Sequence, residues 1–507
     1  MNFGSFHLRR DRHALAPASH VPEAMRHLQA LVANIAAVLS GKVVVAVAGM
    51  ATMMVLARSL GPQDFGYYRT VFTYVAFAAV FGDLGLYMVS LREMSRPGAD
   101  ASRVFSTALP LRLTSSVCVL ALASAIGWLF PYDRIVKWGI FIGAAIYTCI
   151  QASELLIAVF QSVRKQGRNA VAEASGALAA LGAVGIMALL HKGPLHMLAA
   201  ALLGSLIALA ISWRLATRLV PLHYRINLRS WKVYLALGVP IAGSQILGMA
   251  MLRGDSLILS VFQPASAVGL YGISTKLFEV AASIPIMFGG LMMPALTTAA
   301  SRVREDFPRV LGNSVDTAAI YGIAAILALA PFAPDVLDLI AGAKFAAGAS
   351  ALAVISIALC LSAVSQVLRF ALVACERQRM VLMVDAVACT VAFCAYFGLI
   401  PAYSILGAAA GTVMAEGSSL IGMLVALKRA GLRLPSARTP AKALGAGLIA
   451  FGTMLFFDEF DTPWIVSLLL GESVYFGVLW LAHAIPPQLL DAIFRRRASL
   501  QRSARAG

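Results

Sequence analysis

Charge is scarce in this chain. Asp, Glu, Lys and Arg make up 13% of its 507 residues, against 60% hydrophobic residues and a mean hydropathy of +0.82. Soluble globular chains carry about 25% charged residues, so a soluble enzyme or binding domain is excluded. No HExxH, GxSxG, Walker A or acidic metal cluster is present, and half of the eight histidines lie in the first 27 residues. Direct use of ATP and metal-assisted hydrolysis are excluded with them. The six cysteines, Cys118, Cys149, Cys360, Cys375, Cys389 and Cys394, stand singly in or at the ends of apolar segments. Without metal-ligand spacing they read as small packing residues. No apolar stretch of signal-peptide type precedes Ala14-Leu15-Ala16, so no cleaved secretory leader is expected, and this segment reads as a basic cytoplasmic tail.

What is abundant is apolar sequence in runs long enough to cross a bilayer. A hydrocarbon core about 30 Å thick takes about 20 apolar residues per helix. Fourteen such spans can be marked, at about 31–57, 65–91, 105–130, 138–161, 169–190, 195–219, 233–261, 268–298, 314–340, 348–375, 380–400, 403–427, 440–457 and 463–485. The expected fold is therefore all-α and integral to a membrane. Pro331 and Pro334 break the ninth span, Pro401 separates the eleventh from the twelfth, and Pro240, Pro285 and Pro294 fall inside the seventh and eighth. Each proline frees a carbonyl that must be met by a neighbour or by cavity water.

Orientation follows from the basic residues. Of the 41 Lys and Arg, only Arg58, Arg134, Lys137, Lys192 and Lys344 fall in the loops of one face. Six more, Lys42, Arg69, Arg112, Arg253, Lys276 and Arg369, fall within spans, and the other 30 belong to the tails and loops of the opposite face. Cationic loops stay cytoplasmic, which predicts that both termini are inside. The net charge of +17 then lies against anionic membrane lipids, and no nucleic acid is needed to explain it. Loops on the outer face are expected to be short, the longest about ten residues.

The stretch from Ala57 to Arg96 organises the rest. It closes one hydrophobic helix, turns through Gly61-Pro62 and opens a second at Phe65, which carries Arg69 and Asp83 among apolar residues. A charge deep in a span costs roughly 2.5–3.5 kcal/mol on insertion scales and normally faces a protein interior or a water-filled path. Phe65-Gly66-Tyr67-Tyr68 returns 203 residues later as Val268-Gly269-Leu270-Tyr271, each after a short turn with a proline, Pro62 or Pro264. Such repetition suits a transporter of two six-helix lobes with a site between them.

The pattern ARSLGPQDFGYY…FGDLGLYMVSLRE resembles a signature of bacterial polysaccharide flippases, and so does RGDSLILSVFQPASAVGLYGISTKLFEVAASIPIMFGGLMMPALT, from Arg253 to Thr297. These form the Wzx-like O-antigen and exopolysaccharide branch of the multidrug/oligosaccharidyl-lipid/polysaccharide exporter superfamily. The resemblance covers at least about residues 30–430. It implies two six-helix bundles in a V, at 30–220 and 221–430, then two further helices at 431–487, between basic tails at 1–29 and 488–507. It also implies a transporter, not an enzyme, in the bacterial cytoplasmic membrane. Members move undecaprenyl-diphosphate-linked glycan repeat units from the inner to the outer leaflet by alternating access, for lipopolysaccharide or exopolysaccharide biosynthesis. A polymerase and other glycan-assembly proteins are the implied partners. No cofactor is implied beyond H+ or Na+ as a coupling ion. The arginine- and aspartate-rich start of the related peptidoglycan-precursor flippases is not well matched, which favours the polysaccharide branch.

A lipid-linked sugar presents a diphosphate and a hydroxyl-rich head that hydrocarbon will not admit, so its carrier needs a cationic groove. Lys42, Arg69, Arg253 and Lys276 are the expected substrate-binding cations, with Lys42 and Lys276 deepest. Lys42 has no acidic partner near it in sequence, whereas Lys276 and Glu279 are i,i+3 neighbours placed to neutralise each other. Snorkelling is the alternative for Arg69 and the expectation for Arg112 and Arg369. Asp83 and Asp255 are the candidates for ion coupling, because an intramembrane carboxylate can carry a proton or bind a cation. No catalytic or metal-binding residue is expected. Two other readings stand beside the flippase. One is a cation-coupled small-molecule exporter of the same superfamily. The other is a membrane glycan polymerase or ligase, which the short outer loops count against.

Overall fold

The computed structural model describes residues 23–96, 100–163, 165–220, 228–301, 306–460 and 462–486. Most of the two basic tails, 1–22 and 487–507, lies outside the described residues, and α1 already begins at Glu23. Among the described residues there is no strand. The helices are α1 (Glu23–Asp83), α2 (Leu86–Met94), α3 (Ala101–Gly127), α4 (Arg134–Ser162), α5 (Gln166–Leu189), α6 (Pro194–Thr217) and α7 (Leu228–Phe262). They continue as α8 (Ala265–Ser301), α9 (Phe307–Leu329), α10 (Ala333–Ala341), α11 (Ala349–Ala374), α12 (Gln378–Arg429), α13 (Arg438–Asp458) and α14 (Trp464–Leu481). Among the described residues, twelve segments are long and apolar enough to cross a membrane.

Two of these cross twice. A straight helix as long as α1 would extend about 90 Å, yet Lys42 and Asp83 line one cavity. The chain reverses at Gly61, whose backbone (φ 73°, ψ 176°) is open to glycine and hostile to other residues. Pro62 restarts the helix where its missing N–H would have had no partner anyway. α12 reverses at Ser404 (φ 50°, ψ −126°), just past Pro401, so that Gly422 lies against Val384 and Gly411 against Tyr396. The chain therefore makes the fourteen crossings that the apolar runs predict.

The ninth span departs from the expected 314–340. α9 starts at Phe307 and stops at Leu329, before Pro331, and the chain resumes as α10 with Pro334 in its first turn. A 3₁₀ segment, Ala343–Gly348, leads into α11. The connection 330–348 is thus longer than the expected outer loops, because the prolines end one helix without preventing a new one. It is tied down: Phe345 is buried edge-on to Phe65 at 5.8 Å, and Arg58 Nη2 donates to the Leu339 carbonyl at 2.6 Å.

Helices α1–α6 pack mainly among themselves, as do α7–α12, while α13 and α14 pair and lean on α9, where the Tyr475 hydroxyl donates to the Ile320 carbonyl at 3.0 Å. The two groups meet along span two and α8, where the repeated motif acquires a structural meaning. Gly66 lies on the Ala265 carbonyl and Gly269 on the Pro62 carbonyl, so a Cβ at either position would collide with backbone. Pro62 and Ala265 are themselves 203 residues apart. The contact is reciprocal, each repeat seating its turn on the other's glycine. A continuous apolar core crosses this seam, with Leu56, Ala57 and Phe65 on one side and Tyr271, Leu337 and Phe345 on the other. It closes the face opposite the basic loops. Toward the basic face, span two bends at Leu84 and Gly85, and Gly85 packs on Gly238 of α7.

Candidate functional site

Between these two levels of contact lies a cavity of about 700 Å³, lined by Arg69 of span two, Arg253 of α7 and Lys276 of α8. Three of the four expected substrate-binding cations are thus brought together, one from the first six-helix group and two from the second. They converge on a single carboxylate. Glu279 Oε1 accepts from Arg253 Nη1 at 2.6 Å and from Arg69 Nη2 at 3.3 Å, while Oε2 accepts from Lys276 Nζ at 3.2 Å. Arg69 Nη2 also donates to Thr275 Oγ1 at 3.3 Å. The i,i+3 pair is therefore present but is only one arm of a larger cluster. Glu279 itself lines a further cavity behind the cations.

Local sequence explains how Arg69 reaches across. The residue equivalent to Arg69 in the second repeat, 203 positions on, is Gly272, and the Arg69 methylenes lie directly against it. One repeat supplies a long cation where the other supplies no side chain at all. On the same face of span two, Tyr68 and Phe72 pack with ring centroids 4.8 Å apart, and Phe72 meets Tyr147 of α4 at 6.3 Å. These three aromatic rings line the central cavity. They were not singled out from sequence, although Phe65, Tyr68, Arg69 and Phe72 form an i, i+3, i+4, i+7 stripe that marks a single helix face.

Lys42 lies apart from the trio. Its side chain is 64% exposed and its Nζ donates to Glu173 Oε2 at 3.0 Å, a partner 131 residues away. With Asp83, Glu154 and Glu173 it lines a second cavity, of about 420 Å³. Glu154 and Glu173 also line the central cavity, so the two adjoin.

Arg112 does not snorkel. It is fully buried, paired with Asp83 at 2.7 Å and with Glu154. Snorkelling relieves a charge that has no partner in the protein, and Arg112 has two. Arg369 likewise pairs with Asp385 instead of reaching the interface. Arg369, Asp385, Asp255 and Glu416 line the third cavity, of about 290 Å³, into which Glu279 also faces. Asp255 accepts from the Tyr271 hydroxyl at 2.7 Å and from the Ser256 N–H at 2.6 Å. The two ion-coupling candidates therefore lie in separate cavities, Asp83 with Lys42 and Asp255 with Arg369. Among the described residues no group of three or more His, Cys, Asp or Glu is arranged to hold a metal ion.

The family model described as polysaccharide biosynthesis protein matches residues 31–299, more than half of the chain. The chain belongs to that family. No curated protein sequence matches the chain. Among solved structures it is similar to the lipid II flippase MurJ in an inward closed conformation, with 11% identity, a TM-score of 0.75, and coverage of 88% of this chain and 98% of that one. It is also similar to an inward-facing multidrug resistance MATE family transporter of the MOP superfamily (13% identity, TM-score 0.63, 76% and 94% covered). A third is a MOP superfamily transporter from Pyrococcus furiosus (18%, 0.52, 79% and 95%). At these identities the likeness is one of fold, that of an all-α membrane transporter. The matched segment of this family member contains Lys42, Arg69, Asp83, Arg253, Asp255, Lys276 and Glu279.

Proposed function

We propose that this protein is a lipid-linked oligosaccharide flippase of the bacterial cytoplasmic membrane. It moves undecaprenyl-diphosphate-linked glycan repeat units from the inner to the outer leaflet by alternating access, for lipopolysaccharide O-antigen or exopolysaccharide assembly. The observation that carries this reading is the gathering of Arg69, Arg253 and Lys276, from both six-helix groups, at one cavity. A guanidinium fork matches phosphate oxygens and a lysine supplies a point charge. The wall of Tyr68, Phe72 and Tyr147 offers three ring faces, two of them with hydroxyl tips, an amphipathic surface suited to a sugar. The polyprenyl chain needs no such path, since hydrocarbon already accepts it.

With the basic loops cytoplasmic, both termini lie inside and the Gly66–Gly269 seam closes the outer side. The headgroup then enters past Lys42 and meets Arg69, Arg253 and Lys276 further in. Asp83 and Asp255 are the residues through which H+ or Na+ would couple to this motion. A polymerase takes over the delivered repeat unit. An exporter of small cations is disfavoured, because three cations lining the cavity repel such cargo. Deletion of the gene is expected to strand lipid-linked repeat units on the inner leaflet. Normal delivery in a deletion strain without other flippases refutes the reading.

A further inference from the structure

The cation cluster is under-supplied with negative charge. Arg69, Arg253 and Lys276 share one carboxylate within ion-pair distance, and the next acid, Asp255, is held by the Tyr271 hydroxyl and the Ser256 N–H. The other acids of the central cavity are engaged elsewhere, Glu154 with Arg112 and Glu173 with Lys42. The Nε atoms of Arg69 and Arg253 are buried and have no hydrogen-bond partner. A buried donor without an acceptor is costly, so the cluster has unused charge and hydrogen-bonding capacity that an incoming anion can take up.

Glu279 is placed to yield. Its oxygens take up the terminal Arg69 and Arg253 nitrogens from behind, while the cations line the central cavity. Behind Glu279 is the separate cavity with Asp255 and Arg369, into which a released carboxylate can turn. Glu279 also holds the two six-helix groups together at this level, since Arg69 comes from one and Glu279 from the other.

We infer that Glu279 is an in-built counter-anion, displaced from Arg69 and Arg253 when a disubstituted diphosphate enters. The inference rests on the flippase reading and adds the means by which binding loosens the contact between the groups. A disubstituted diphosphate is a dianion, so it brings two negative charges to the three cations where Glu279 supplied one. The resident carboxylate limits affinity, so the headgroup can leave again.

The test uses the purified full chain in detergent with farnesyl-diphosphoryl-N-acetylglucosamine as probe. Glu279→Gln is expected to bind it about tenfold more tightly than wild type, and Glu279→Asp within about threefold of wild type. Complementation of export by Glu279→Gln should fall, because release slows. Equal or weaker probe binding by Glu279→Gln, with wild type still binding, overturns the counter-anion role and leaves the flippase reading standing. No probe binding by wild type overturns the reading itself. If Glu279→Gln does not fold, wild type decides: carbodiimide labelling of Glu279, read by mass spectrometry, should rise when the probe binds. Unchanged or reduced labelling overturns the inference.

Discussion

Two ion clusters adjoin the central cavity and have opposite make-up. In the first, one cation, Arg112, sits between two acids, Asp83 and Glu154, and its side chain is 1% exposed. In the second, one acid, Glu279, sits among three cations whose exposures run from 12% for Arg69 to 36% for Lys276. The first ties spans two, three and four within one group of helices; the second joins the two groups. A charge that serves the fold is dry and outnumbered by its counter-charges. A charge that serves a ligand is wetter and short of them. The difference separates two sets of intramembrane charges that look alike in a sequence.

The largest effect should come from the dry cluster. Arg112→Ala leaves two carboxylates facing each other without their shared cation, and removing one partner of a buried pair costs about 3–5 kcal/mol. The expected result is loss of folded protein, seen as a collapsed melting transition in detergent, with export lost as a consequence. Arg112→Ala that melts like wild type breaks the comparison at once.

Next comes the seam that lets the cavity exist. Gly66→Val puts a branched side chain where the Ala265 carbonyl lies. The lobes must part on the face opposite the basic loops, so export should be abolished while the protein remains folded. In a cysteine-free background, a cysteine at Thr73, which lines the central cavity, should become reactive to impermeant maleimide from that face. Retained export with no gain in reactivity removes the gating role of the reciprocal glycines.

Arg253→Ala addresses the wet cluster and should act on function alone. Export is expected to fall about tenfold, with membrane level and melting temperature close to wild type. A loss of stability matching the loss of export would return Arg253 to the structural class.

Much of the fold was legible in the sequence because a bilayer enforces a simple rule. Apolar runs must be long, and basic loops must alternate with poor ones, so all fourteen crossings could be marked. The ninth span was misplaced because a proline signals where a helix stops without saying whether another begins beyond it. The site was legible only in part. Arg69, Arg253 and Lys276 stood out as charges in apolar spans, but that signal does not name a charge's partner. Arg112 read as an interfacial residue because both its acids lie on other helices. Glu279 read as half of a local pair for the same reason, since Arg69 reaches it across 210 residues of sequence. Extending the register of 203 residues from Gly66 and Gly269 sets Arg69 opposite Gly272, which is where the side chain crosses.

Lys42 is the residue on which the comparison is sharpest, because it stood out in the sequence as strongly as the others and the structure sets it apart. It is 64% exposed and paired with one acid, and exposed pairs contribute only about 0–1 kcal/mol. An exposed charge attracts an anionic headgroup over distance, and salt at 0.1 M screens such attraction beyond about 10 Å. Arg253 acts at contact, 2.6 Å from the Glu279 carboxylate, a range far shorter than the screening length. Lys42→Ala should therefore slow transport about threefold in proteoliposomes at low salt, and the deficit should vanish near 1 M salt. The deficit of Arg253→Ala should persist across the same range. If the two variants respond to salt alike, exposure does not separate steering from binding here, and Lys42 belongs with the three cations at Glu279.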